Sequence, residues 1–336
     1  MGDVRGWSGG VKVQLCEVLG APEVLQYRDI ADPEPGPGEV LVEVHAAGVN
    51  FPDGLVVSGN YQTKPALPFV PGSEVAGVVR ALGADVDGVA VGDRVLAFCG
   101  MGGYAELVTV PATMVFPIPD SMSYVDAAGF VVTYGTSYHG LVDRADLAAG
   151  ETLLVLGASG GVGLTAVEIG KALGARVIAA ASSPDKLALC REHGADELID
   201  YSADDLKTRL AEVAPGGVDV VYDPVGGEHA QTAVRALCWG GRYLTVGYAS
   251  GDIPKVGMNR LLVSGGALHG VLWGVWAKRN PEHNAANMRR LFDWYDRGAL
   301  RPHVSETYPL ADAAAALDVV MGRRARGKVV LTSGRN

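Results

Sequence analysis

Two hydrophobic rhythms divide the chain. From Val11 to about Pro119, short apolar runs alternate with clusters of Gly, Pro and Asp. VKVQLCEV (11–18), VLVEVHAAGVN (40–50), EVAGVVRALG (74–83) and DRVLAFCG (93–100) are rich in Val and short, so they are expected as strands. DPEPGPGEV (32–40) holds three prolines and two glycines and must be a turn or loop. VDGVAVGD (86–93) breaks the next pair of strands in the same way. His45, inside the second run, is expected as a packed strand residue.

Beyond about residue 130 the rhythm changes. ETLLVLGAS (151–159) is an apolar strand, Gly163–Leu173 is expected as a helix with Gly174 as its C-cap, and RVIAAAS (176–182) is a second buried strand. Ser183, Pro184 and Asp185 then form a helix start: an N-cap, a first-turn proline and a first-turn acid. That helix is expected to run to His193 and stop at Gly194. ELIDY (197–201), VDVVYDPV (218–225), GRYLTVGYA (241–249) and GALHGVLW (266–273) are further strands, with helices over 204–213 and 228–238 between them. Strands alternating with helices predict a doubly wound parallel sheet. The last stretch, 281–336, carries two helical runs and the strand GKVVLT, and extends no further strand–helix–strand unit. It is assigned back to the first, mainly β domain. The expected organisation is therefore α/β: a Rossmann sheet over 130–273 inserted into a domain made of 11–129 and 274–336.

Composition narrows the class. At ~100–200 residues per domain, 336 residues suit two domains. A 48% hydrophobic, 20% charged chain can bury a sizeable core and is not a disordered composition. The net charge of −10 argues against a nucleic-acid binder, and the basic run GRRARGK (322–328) is expected as a solvated cap before the last strand. Cys16, Cys99, Cys190 and Cys238 stand far apart with no C-x-x-C pair, which fits unpaired thiols in a reducing, cytoplasmic setting. The opening MGDVRGWSGG lacks an apolar signal core, has Gly at position 6 where myristoylation wants Ser or Thr, and is expected as a floppy tail. No apolar run approaches the ~18 residues of a membrane span.

The stretch LLVLGASGGVGLTAVEIGKALGARVIAAAS carries the clearest chemistry. It reads strand, glycine-rich turn, helix, strand, with Ala158, Gly160 and Gly163 in an A-x-G-x-x-G spacing. Such a turn brings backbone close to a pyrophosphate, and the helix start offers N–H groups and a positive dipole end to the anion. Dinucleotide binding is the expectation. A site for NAD usually carries an acid at the tip of the second strand, to hold the ribose 2′-hydroxyl. Here the tip reads Ala181-Ser182-Ser183, with Lys186 three residues on. Lys186 near the start of a helix opposes the macrodipole unless an anion compensates it, and a 2′-phosphate would do so. The alternative is an ordinary solvated lysine. NADPH is the expected cofactor.

AAGVNFPDGLVVSGNYQTKPALPFVPGSEVAGVV, VGDRVLAF, GGYAEL, VTYGTSYHGL, LGASGGVG, IDY and RGKVVL, in this order, resemble the medium-chain dehydrogenase/reductase superfamily, and within it the zinc-independent quinone oxidoreductase branch. The resemblance runs over roughly residues 11–332 and implies a GroES-like catalytic domain around the Rossmann unit. Zinc members carry Cys and His where this chain has Asn50 and Ser73, and neither is a normal zinc ligand. No metal is therefore expected. Without a Lewis acid the acceptor should be one that takes hydride readily, a quinone or an activated conjugated double bond.

The resemblance also implies roles by position. Asn50 matches a residue beside the nicotinamide ribose, and Thr133 one near its amide. Ser159, Gly160, Gly161 and Val162 match the pyrophosphate turn, and Ser182, Ser183, Lys186 and Tyr201 the surroundings of the 2′-phosphate. Val246, Gly247, Tyr248 and Ser250, with Leu272 and Trp273, match nicotinamide contacts. Tyr61 matches a tyrosine of the substrate pocket; as alternatives, Tyr61 is a packed loop residue and Trp273 and Trp276 are core or dimer aromatics. Leu55 stands where some members have a second pocket tyrosine. Asn50 and Tyr61 are the expected orienting groups for hydride transfer from NADPH to a small quinone or enone. An NADPH-dependent enoyl-thioester or alkenal reductase, and a non-catalytic NADPH-binding protein, remain as rivals. The resemblance further implies a homodimer joined through the edge strand in 266–273.

Overall fold

The computed structural model describes residues 10–334. The readings made on the opening tail fall, except at Gly10, on residues outside that range. The described chain forms two compact units, one of 10–131, 304–324 and 329–334, the other of 132–303 and 325–328.

The first unit is a twisted antiparallel assembly. Its seven-stranded sheet runs Val304–Pro309, Lys328–Thr332, Glu39–Val49, Glu74–Leu82, Arg94–Phe98 and Val115–Pro117, with Leu107–Pro111 also paired to Glu39–Val49. Val11–Cys16 and Leu25–Ile30 make a separate two-stranded ribbon. Eight consecutive residues of the central strand, Leu41 excepted at its start, are buried from Val42 to Val49, because it has neighbours on both edges. Gly77 is where two strands come closest: a Cβ there would lie 1.8 Å from the Glu43 carbonyl oxygen.

The second unit holds six parallel strands in the spatial order Glu197–Asp200, Arg176–Ala181, Thr152–Leu156, Val218–Asp223, Leu237–Thr245, Ala267–Gly270. The chain thus starts in the middle, moves outward one way, then returns and moves outward the other way. That order leaves a crevice at the carboxyl ends beside the first strand, where such sheets take ligands. Leu153, Leu154, Val155 and Leu156 are all fully buried, as expected of a strand covered on both faces. The helix Pro184–Glu192 begins as its sequence requires, with Ser183 Oγ accepting from the Lys186 N–H.

Two differences from the sequence expectation bear on the layout of the elements. Leu237 and Cys238, expected at the end of a helix, open a strand instead; the helix stops at Arg235. The helices Trp273–Arg279 and Pro281–Asp296 cluster with the nucleotide-type unit, whereas the sequence expectation sent everything from 274 onward to the other domain. The reason is packing. Trp273 Nε1 donates to Asn284 Oδ1 at 3.1 Å, Asn287 Nδ2 donates to Asp143 Oδ2 at 2.9 Å, and the Trp276 ring stacks on His139. No helix among the described residues is long and apolar enough to cross a membrane.

Candidate functional site

The glycine-rich turn follows the central strand Thr152–Leu156 and opens the helix Gly161–Ala172. Its glycines have different reasons to be there. A Cβ on Gly163 would fall 2.3 Å from the Gly157 carbonyl oxygen, so that glycine permits the helix to lie on the strand. A Cβ on Gly160 would meet protein only at 3.5 Å, so no packing demands its absence. The space it leaves lies in front of a helix N-terminus, whose first N–H groups have no partner within the helix. This is a cradle that a side chain would fill and a phosphate suits.

One residue of this cradle is missing from the sequence expectation. The chain returns to this unit at 325–328, where the Gly327 N–H donates to the Ser159 carbonyl oxygen at 2.8 Å. Lys328, expected with a solvated run, is buried, and its stem lies against the open face of Gly161. Its signal in the sequence is the lysine that starts the last apolar strand, a poor position for a charge without a purpose.

The tip of the second strand gathers four of the expected residues. Lys186 Nζ donates to Ser182 Oγ at 3.2 Å, and Ser183 caps the helix that carries Lys186. The Tyr201 N–H is held by the Ala181 carbonyl oxygen at 3.1 Å, and its ring packs on His229. From the basic run, Arg326 lies 3.7 Å from Asp185.

The loops after the fourth and fifth strands are fastened by Asp223. This buried carboxylate accepts from the N–H groups of Val225 and Gly226 at 2.7 and 2.9 Å, and from the Tyr243 hydroxyl. Its backbone oxygen takes the Val246 N–H, and Ser250 N–H bonds to Val225 O, so the segments 224–227 and 246–250 are tied together. Burial, then Asp223, pushes the Tyr243 hydroxyl far above its usual range, so it remains a donor. Thr133 is buried behind the glycine turn, its carbonyl accepting from Thr165 Oγ1. Leu272 is exposed, whereas the Trp273 side chain is occupied by the packing of the unit itself.

The first unit brings Asn50 and Tyr61 into one neighbourhood. Asn50 ends the central strand and caps the helix Phe51–Val57. Its backbone N–H donates to Asp53 Oδ2 at 2.9 Å, and its side-chain amide to Glu74 Oε1 at 2.9 Å and Ser73 Oγ at 3.3 Å. Tyr104 donates to Asp53 at 3.0 Å. Burial raises the Tyr61 hydroxyl, and the Asp53 charge adds to it. Asp53 and Glu74 are the residues sequence reasoning passed over; the N-x-x-D capping box at 50–53 was the available signal for the first.

Two chemistries find little support. Burial pushes the thiols up, Cys190 to about 12 and Cys238 to about 11, so neither is a thiolate at neutral pH. Among the described residues no group of three His, Cys, Asp or Glu could hold a metal ion. Asn50 and Ser73, an amide and a hydroxyl bonded to one another, do not make a zinc donor set.

Comparison with known proteins gives the family. Residues 36–120 match the alcohol dehydrogenase GroES-like domain, and residues 193–331 match the zinc-binding dehydrogenase family. A quinone oxidoreductase of Pseudomonas aeruginosa is 38% identical over 316 residues, covering 93% of this chain and 96% of that protein. A quinone oxidoreductase-like protein 2 homolog of Nematostella vectensis is 36% identical over 323 residues, 95% of this chain and 88% of that one. A mycobacterial protein solved in complex with NADPH superposes with a TM-score of 0.90 at 34% identity, over 96% of this chain and 100% of the other. The chain belongs to the medium-chain dehydrogenase/reductase superfamily, in its quinone oxidoreductase branch.

Proposed function

We propose that this protein is a zinc-independent reductase that uses NADPH to reduce a quinone or an activated, conjugated C=C or C=O acceptor. The observation that carries the reading is the strand tip, where Ser182, Ser183 and Lys186 stand together and the two residues after Ala181 are serines, with no acid at the tip itself. The NADPH complex of the mycobacterial relative supports it. When bound, the cofactor supplies a hydride from C4 of its nicotinamide.

The chain's own residues bind and orient. The 159–162 turn and Lys328 hold the pyrophosphate, while Ser182, Ser183, Lys186 and Tyr201 hold the 2′-phosphate. Thr133, the Asp223-fastened loop of Val246, Gly247, Tyr248 and Ser250, and the Leu272–Trp273 segment position the nicotinamide. Asn50 and Tyr61 are the first unit's contribution to orientation. Glu74 and Asp53 fix the Asn50 amide and backbone, and the raised Tyr61 hydroxyl stays protonated as a hydrogen-bond or proton donor at neutral pH. Four unpaired cysteines suit a reducing cytoplasm. The second unit's edge strand Ala267–Gly270, with exposed Leu268, and the nearby Trp239, Leu262 and Val263 form the face on which a second copy pairs.

The test is a panel of 1,4-quinones, enones and enoyl-CoA thioesters, compared by kcat/KM with NADPH. Quinones or enones should lead, with Asn50→Ala and Tyr61→Phe each lowering turnover. Preference for the thioesters would move the protein to the enoyl-thioester reductases. Tight NADPH binding without oxidation by any acceptor, or full activity in both variants, would sink the reading.

A further inference from the structure

A groove of about 330 Å³ opens on the second unit, between the turn His139–Arg144 and the helix Trp273–Arg279. Its volume lies within the range of small-molecule sites. The turn is π-helical, with the Ala145 N–H reaching back five residues to the Gly140 carbonyl oxygen at 3.0 Å. Such turns are rare and gather at functional places.

The lining is of two kinds. Part of it is apolar. The Trp276 ring stacks on His139 with centroids 4.1 Å apart, and His139 is fixed by Asp143 at 2.9 Å. Leu272 and Val275, which line the same groove, are 48% and 45% exposed. The cationic groups enter the lining from both elements. Arg144 and Arg279 both line the groove, and neither side chain makes a hydrogen bond or ion pair with any described residue. Elsewhere on this acidic chain, Arg80, Arg176, Arg242 and Arg324 each sit on a carboxylate. Asp143, the acid next to Arg144 in the chain, is already engaged by His139, by Asn287 and by His283 at 3.3 Å. The Arg144 charge also reaches His269, which is held below the usual imidazole range first by burial, then by Arg144 and by the Glu151-paired Arg242.

Two planar, unpaired guanidiniums beside an indole match a flat apolar body that carries an acid. We propose that this groove binds an organic anion of the aryl-carboxylate class, with its carboxylate on Arg144 and Arg279 and its body on Trp276 and Val275. No residue of the glycine turn lines the groove, which meets the segment assigned to the nicotinamide only at Leu272 and the edge strand only at Gly270, so it does not depend on the hydride-transfer reading.

The probe is 2-naphthoate, titrated by calorimetry into the full-length protein saturated with NADPH. The neutral control is 2-naphthalenemethanol. Saturable binding, one per chain and tighter than roughly millimolar, is expected for the acid. The Arg144→Gln/Arg279→Gln double variant should weaken it by about tenfold or more and leave the alcohol unchanged, since both side chains are exposed and unpaired. Trp276→Leu should weaken both ligands. No saturable binding, equal binding of acid and alcohol, insensitivity to the double variant, or displacement of naphthoate by NADPH would each overturn the proposal.

Discussion

Gly160 and Gly163 are three residues apart in one motif, yet they answer to different partners. Gly163 is demanded by the protein, because the Gly157 carbonyl would sit 2.3 Å from its Cβ. Gly160 is demanded by the ligand in the proposed site. Gly163→Ala should therefore cost stability, about 1–3 kcal/mol for overpacking, and lower the midpoint of urea unfolding. Gly160→Ala should leave that midpoint within a few tenths of a kcal/mol and instead raise the KM for NADPH. Equal stability losses in the two variants would contradict the division. Both glycines were legible in the sequence, since spacing fixes their place in a strand–turn–helix unit. Lys328 was harder to read: only its place at the start of the last apolar strand separates the one buried cation of GRRARGK from the solvated ones before it.

The loops at the carboxyl ends of the sheet are elements held by a single buried acid. Tyr243→Phe removes one donor from Asp223 and leaves that carboxylate less satisfied, at an expected cost of about 1–3 kcal/mol. Because segments 224–227 and 246–250 share that anchor, hydrogen exchange should rise in both together. Exchange rising in only one would show that they are fastened separately. The strand–helix alternation that places these loops was readable from apolar runs and caps such as Ser183. Boundaries between apolar elements were not. Leu237 and Cys238 lie in an apolar run that suits a helix or a strand equally, and the pairing of Leu237 with Val218 decides for the strand. In GALHGVLW only Ala267–Gly270 pairs, alongside Arg242–Thr245; after that Trp273 turns into a helix that buries its ring. The sequence carries the apolar character of these residues and not the length of the neighbour that limits the strand.

Two properties belong to the whole molecule. The first is the response of stability to pH. His303 is held below the ordinary imidazole value by burial and by neighbouring His193, and His269 by burial and Arg144. The folded state therefore prefers both neutral, and the unfolded chain takes up protons first as pH falls. Their contribution is complete above about pH 6.5 and is lost as pH drops from there through the lower folded values. Unfolding midpoints should fall from pH 7 to pH 5, and His303→Asn should flatten that slope; an unchanged slope would rule His303 out. The second property is assembly. If a second copy pairs on the Ala267–Gly270 edge, light scattering should give a dimer mass that Leu268→Lys reduces to that of the monomer, with NADPH binding kept. A monomer in the wild type would remove the proposed interface. Above both stands the choice of coenzyme, which the strand tip makes in chemical terms: hydroxyls and an ammonium recognise a phosphate, and a carboxylate would recognise a ribose diol. The most direct test is the ratio of kcat/KM for NADPH and NADH, with 1,4-naphthoquinone as acceptor, in the wild type and in Lys186→Ala. A charge-assisted contact worth about 1.5–3 kcal/mol predicts a wild-type ratio of roughly ten or more, falling toward one in the variant. A wild-type ratio near one, or a preference that Lys186→Ala leaves intact, would contradict the assignment of this site.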